Sequence, residues 1–121
     1  MVRFICKDTG MPALDKRNVI RWIRAVASDY GFAVGNLNYI FCSDECELAV
    51  NREFLGHDYY TDVITFDYST ASTLNGDIFI SLDTIRSNAE LLNIPFEHEL
   101  MRIIIHGLLH LTGQADMEIT S

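Results

Sequence analysis

Two histidines stand four residues apart in an apolar run near the C-terminus, "IIIHGLLHLTGQAD" from Ile103 to Asp116. Between Leu100 and Leu111 the only polar side chains are Arg102, His106 and His110. A helix that is apolar on nearly all sides belongs in the interior of a domain. His106 and His110 then fall about 40° apart on one face, separated by one turn. Buried imidazoles must find partners, because an unpaired polar group inside a protein is costly. The partners are either hydrogen-bonding groups, such as backbone or a carboxylate, or one shared cation, and a same-face pair favours the cation. Glu99 lies on the same stripe but about 10 Å upstream along the axis, too far to join that shell.

The residues that follow extend the pattern. Gly113 stands where a left-handed turn can end the helix, and Asp116 can fold back toward the histidine face. His106-x3-His110-x2-Gly113-x2-Asp116 matches the extended zincin layout of two helical ligands, a glycine turn and a third ligand. Three ligands leave the fourth position of a zinc ion open for water, as in catalytic sites. Zinc lowers the pKa of such a water from about 15.7 to about 7. A zinc peptidase carries Glu directly after the first histidine as its general base, but Gly107 occupies that position here. The metal reading survives this difference while the peptidase reading loses its proton-transfer residue.

Strands and helices must hold this face in place. Val2 to Lys7 alternates as a strand, and Asp15 can cap a helix with Val19, Ile23, Val26 and Tyr30 at helical spacing and Gly31 as its stop. Asn36 to Ser43 reads as a second strand. The stretch from Ser43 to Gly56 reads as a short helix in which Asp44 and Glu47 have capping-box spacing. Tyr60 to Tyr68 and Asp77 to Leu82 are predicted as strands, paired as an antiparallel hairpin or near neighbours. A helix over about Thr84 to Leu92 follows, and Pro95 fits the first position of a last helix running to about Leu111. The expectation is one α+β domain over residues 1–121, a four-stranded mixed sheet packed with helices, with the metal site on the last helix and its following turn.

Composition narrows the function classes. The 121 residues are 49% hydrophobic and 21% charged, which is ordinary for a globular domain and excludes general disorder. Nine basic against seventeen acidic side chains give a net charge of −8, unfavourable for unaided binding to a phosphate backbone. Lys16, Arg17, Arg21 and Arg24 form a local basic cluster, which is either an RNA contact or a solvated helix face. Cys6, Cys42 and Cys46 are odd in number and follow no secretory leader, so they read as core thiols in a reducing, cytoplasmic setting. No apolar run reaches the roughly 20 residues needed to span a bilayer.

With "HGLLHLTG" (His106 to Gly113) and "TDVITFD" (Thr61 to Asp67) in view, the chain resembles the YbeY endoribonucleases. "GDIFIS" (Gly76 to Ser81) and "SDECELAVNREF" (Ser43 to Phe54) fall in the same order as in that family. The resemblance implies an α+β fold with a four-stranded sheet, a zinc ion held by three ligands near the C-terminal end, and action on ribosomal RNA in maturation and ribosome quality control. His106 and His110 take the first two ligand places. The third is commonly histidine preceded by aspartate, and Ala115-Asp116 stands there instead. That swap adds a negative charge to the shell and makes the metal a slightly weaker Lewis acid. Glu118 is the fallback ligand.

The family also carries an arginine after the aromatic of the "NREF" stretch, where this chain has Leu55. Arg52, on the same helix but out of register, is only a loose candidate for RNA contact. His57 is a weak catalytic candidate or an exposed loop histidine. Asp62 and Asp77 are candidates to orient the ligands from neighbouring strands, or simple turn caps.

The leading expectation is a metal-dependent endoribonuclease specific for single strands, using one Zn2+ held by His106, His110 and Asp116. Nickel or iron would also suit two imidazoles and a carboxylate. Its partners would be ribosomal RNA and the ribosome or a ribosome-associated protein, with no membrane and no DNA. The competing readings are a zincin-like metallopeptidase and a non-enzymatic ribosome-associated adaptor stapled by its metal.

Overall fold

The computed structural model describes residues 1–55 and 63–113. Four strands, β1 (Val2–Cys6), β2 (Ala33–Cys42), β3 (Val63–Asp67) and β4 (Thr73–Ser81), form one sheet in the order β1-β2-β4-β3. β1 runs parallel to β2 and β2 parallel to β4, while β3 is antiparallel to β4. The helices are α1 (Lys16–Asp29), α2 (Asp44–Val50), α3 (Leu82–Leu92) and α4 (Phe96–Thr112), with a π-helical turn at Asn51–Leu55 continuing α2. The architecture is α+β with a mixed four-stranded sheet, as the order of predicted elements implied.

Alternation along β4 decides which face the helices cover. Leu74, Gly76, Ile78 and Ile80 are buried, whereas Asp77 and Phe79 between them are only partly covered. The buried set joins Leu37, Tyr39 and Phe41 of β2, Val19, Ile23 and Ala27 of α1, Ile85 of α3 and the inner face of α4 in one core. Within α4, Leu100, Ile103, Ile104 and Leu108 are wholly buried. Each such side chain contributes about 1.5–3 kcal/mol relative to an exposed one. The helix that carries the two histidines is therefore a central core element.

Several predicted boundaries and caps need correction. Ser43, not Asp44, caps α2, its hydroxyl accepting from the Cys46 N–H at 3.2 Å. Asp44 is instead turned toward the start of α3, accepting from the hydroxyls of Ser81 and Thr84 at 2.5 and 2.7 Å. Those contacts, with Ser81 as N-cap, start α3 at Leu82 rather than Thr84. Pro95 is the N-cap of α4 and not its first helical residue, because its ψ of 146° is extended and helical geometry begins at Phe96. β2 begins at Ala33 and β4 at Thr73, each earlier than predicted. The polar "TLNG" pairs with the start of β2 across a register shift between Val34 and Leu37, so backbone pairing extends the strand beyond its apolar pattern. Tyr60 to Asp62, predicted as the start of β3, lie outside the described residues.

Candidate metal centre

α4 ends at Gly113, whose φ of 85° is left-handed and whose N–H bonds back to the carbonyls of Leu109 and His110. Glycine supplies that conformation at no steric cost, so the predicted turn after His110 is present. Upstream, the helix is pinned to the sheet beside the histidines. The Tyr39 hydroxyl, fully buried on β2, donates to the Ile104 carbonyl at 3.2 Å, and burial pushes its phenol pKa up. At Gly107, an added Cβ would lie 2.8 Å from Ile78 Cγ2 and 3.3 Å from Val63 Cγ2. Position 107 thus faces the sheet at closest approach, while His106 and His110 are half-buried beside it.

The two imidazoles meet. Their Nε2 atoms lie 3.2 Å apart, with ring centroids at 4.6 Å and planes at 80°. Two ligand nitrogens at the usual 2.0–2.1 Å from a tetrahedral zinc are separated by about 3.3–3.4 Å. The observed separation is close to that edge and is equally the length of a hydrogen bond between the two rings. Among the described residues no third His, Cys, Asp or Glu completes a ligand group with them. Asp116 and Glu118, the expected third ligand and its fallback, lie outside the described residues, as do His57 and Asp62.

About two helical turns upstream of His106, Glu99 is buried yet charged. Its carboxylate accepts two hydrogen bonds from Arg102, at 2.8 and 2.7 Å, and a third from the Asn88 amide at 3.2 Å. The Arg102 guanidinium holds the Glu99 pKa below the ordinary carboxylate value, against the opposing pull of burial. This network lies apart from the histidine pair, as the distance along the stripe required.

The remaining candidates are dispersed. Asp77 cannot orient the ligands: it projects from the sheet face opposite α4, where it accepts from the Asn38 amide at 2.9 Å. The alternation of β4 puts it there, one residue from Ile78, which contacts the helix. Arg17, Arg21 and Arg24 are exposed on α1, with Arg21 reaching Asn18 at 3.5 Å. Arg52 is exposed on the π-helical turn. The three cysteines are unbridged, and burial pushes the Cys42 thiol pKa up.

Two contributors escaped the sequence reading. Tyr39 carried no signal beyond being a polar tip in an apolar strand. Trp22 of α1 lines a cleft with Arg102, Ile105, His106 and Leu109, although its helical position, off the buried stripe of Val19, Ile23 and Ala27, was a usable clue.

A mixed α+β sheet with two facing imidazoles on its core helix places the chain among proteins already known. The family model for endoribonuclease YbeY matches residues 6–120. The endoribonuclease YbeY of Parabacteroides distasonis is 52% identical over 115 residues, covering 95% of this chain and 81% of the relative. That of Bacteroides thetaiotaomicron is 57% identical over 115 residues, covering 95% and 84%. A solution structure from Thermotoga maritima superposes with a TM-score of 0.66 at 28% identity, over 93% of this chain and 72% of that one. The chain belongs to the endoribonuclease YbeY family.

Proposed function

We propose that this chain is a metal-dependent endoribonuclease that cuts single-stranded RNA during ribosomal RNA maturation and ribosome quality control in the cytoplasm. The observation that carries the metal part is the 3.2 Å separation of the His106 and His110 Nε2 atoms on a rigid core helix. Endoribonuclease activity is supported by the family match over residues 6–120. His106, His110 and Asp116 would hold one Zn2+, with Glu118 as the alternative third ligand, and nickel or iron would suit the same donors. The bound ion supplies Lewis acidity that polarises the phosphodiester and acidifies water.

The chain's own residues set the rest. The packed core face of α4 supports this reading, since it restrains the helix that carries both imidazoles. Tyr39 and the Gly107 contact hold that face against the sheet. His57 and Asp62 are the candidates for moving a proton. With a net charge of −8, the protein gains little from long-range attraction to RNA. That balance supports delivery to its substrate by the ribosome or a ribosome-associated protein, with no role expected for DNA or a membrane. Among the described residues no helix is long and apolar enough to cross a membrane.

The peptidase reading is disfavoured by packing as well as by sequence. A glutamate at position 107 would place its Cβ inside the van der Waals shell of Ile78, facing the sheet and not the metal. The decisive experiment offers the purified protein single-stranded RNA, duplex RNA and casein, with and without chelator. Cleavage of single strands alone, abolished by chelator and by His110→Ala, is expected. Chelator-resistant cleavage, or cleavage unchanged in His110→Ala, would overturn the assignment.

A further inference from the structure

We propose that the cleft between α1 and α4 is a nucleobase subsite, in which the indole of Trp22 stacks on a base of the strand being cut. The inference rests on the RNA-cleaving reading and adds to it a place for the substrate. The cleft is lined by Trp22, Arg102, Ile105, His106 and Leu109 and has a volume of about 400 Å³, within the range of small-ligand sites. His106 forms part of its wall, so the cleft adjoins one of the two paired imidazoles. Trp22 is 41% exposed, while its chain neighbour Ile23 is wholly buried. A large flat ring is thus left in water on the flank of α1 that turns toward the site.

Charge decides which part of a nucleotide fits. Arg102 is the cationic side chain of the cleft, and both its Nε and one terminal nitrogen are bonded to Glu99. That pairing cancels most of its field, so the cleft attracts a phosphate weakly. What remains is an indole, an isoleucine and a leucine around a guanidinium plane, surfaces that accept the neutral face of a base. Stacking of this kind is tolerant of sequence, because every base has a π-face. The phosphates then fall outside the cleft.

Trp22 is the single tryptophan of the chain, so its emission reports this cleft alone. Chelator-treated full chain, unable to cut, is titrated with a single-stranded RNA hexamer and with an abasic hexamer of equal charge. Saturable quenching by the first and none by the second is expected. In the metal-loaded protein, Trp22→Leu should raise KM roughly 5- to 150-fold with kcat within about twofold, and Trp22→Phe should recover most of the loss. Equal quenching by both hexamers, or an unaltered KM in Trp22→Leu, would overturn the subsite. Base-dependent quenching in a protein that cuts no RNA would keep the subsite and overturn the nuclease reading instead.

Discussion

At the N-terminal end of α4, Glu99 is wholly buried and its carboxylate is shared between Arg102 and Asn88. Two turns along the same stripe, His106 and His110 point their Nε2 atoms at each other across 3.2 Å. Both stations put polar groups inside a core helix, but their chemistry differs. A carboxylate is an acceptor and is matched by donors from the chain itself, which fixes structure. Two facing imidazole nitrogens are alike, so they are bridged by a proton or by a cation, and a spacing of 3.2 Å accommodates either. The same helix thus carries one polar group whose partners are built in and one pair proposed to bind.

That contrast predicts separable phenotypes. His110→Ala should leave the fold intact and lower RNA cleavage more than about 100-fold, since losing even an outer-shell partner of a metal costs about 10–100-fold. Thermal melting beside initial rates on a single-stranded RNA would check both halves. Glu99→Ala should do the reverse, lowering stability by about 2 kcal/mol because its partners lose a buried acceptor, while one ion still binds. Denaturant unfolding combined with metal analysis would detect a mixed outcome.

The pH dependence follows from the same network. The folded-state pKa of Glu99 lies below its unfolded value, mainly because of Arg102. The stability it contributes is complete above the ordinary glutamate pKa of about 4.3 and is lost as pH falls through the lower folded value. Glu99→Gln should flatten the stability profile in that acid window.

Smaller effects belong to the surroundings. Gly107→Ala adds a methyl against Ile78 and Val63, a cost of about 1–3 kcal/mol for overpacking, offset by about 1 kcal/mol of helix propensity. The net loss, about 1 kcal/mol, would be read as a lower midpoint in urea. Changing Arg17, Arg21 and Arg24 to Gln singly should move stability by no more than about 0.5 kcal/mol each, because they lie on the solvent side of α1.

How much of this was legible in the sequence differed by element for physical reasons. The α4 pattern was readable because one stripe of side chains decides both its burial and its polar exceptions. Asp15 as the cap of α1, its side chain accepting from the Asn18 N–H, was legible for the same local reason. The true cap of α2 was not, since Ser43 and Asp44 are both good caps and a contact with α3, 37 residues or more away in sequence, decides between them. The early start of β4 was hidden because backbone pairing with Ala33 and Val34, not side-chain alternation, holds Thr73 and Leu74. Sheet order was equally nonlocal. At the site, the histidine pair was legible from its spacing alone. The burial of Gly107 against Ile78, and the presence of Trp22 beside His106, depend on how separate elements pack.

His106 and His110 are proposed to hold a metal ion jointly, with Asp116 as the third ligand. Metal content of the untreated protein, measured beside His106→Ala and Asp116→Ala, tests it most directly. About one zinc per chain is expected in the parent protein and almost none in His106→Ala, with a clear loss in Asp116→Ala. Full metal content in His106→Ala would contradict the site, and full content in Asp116→Ala would move the third ligand elsewhere.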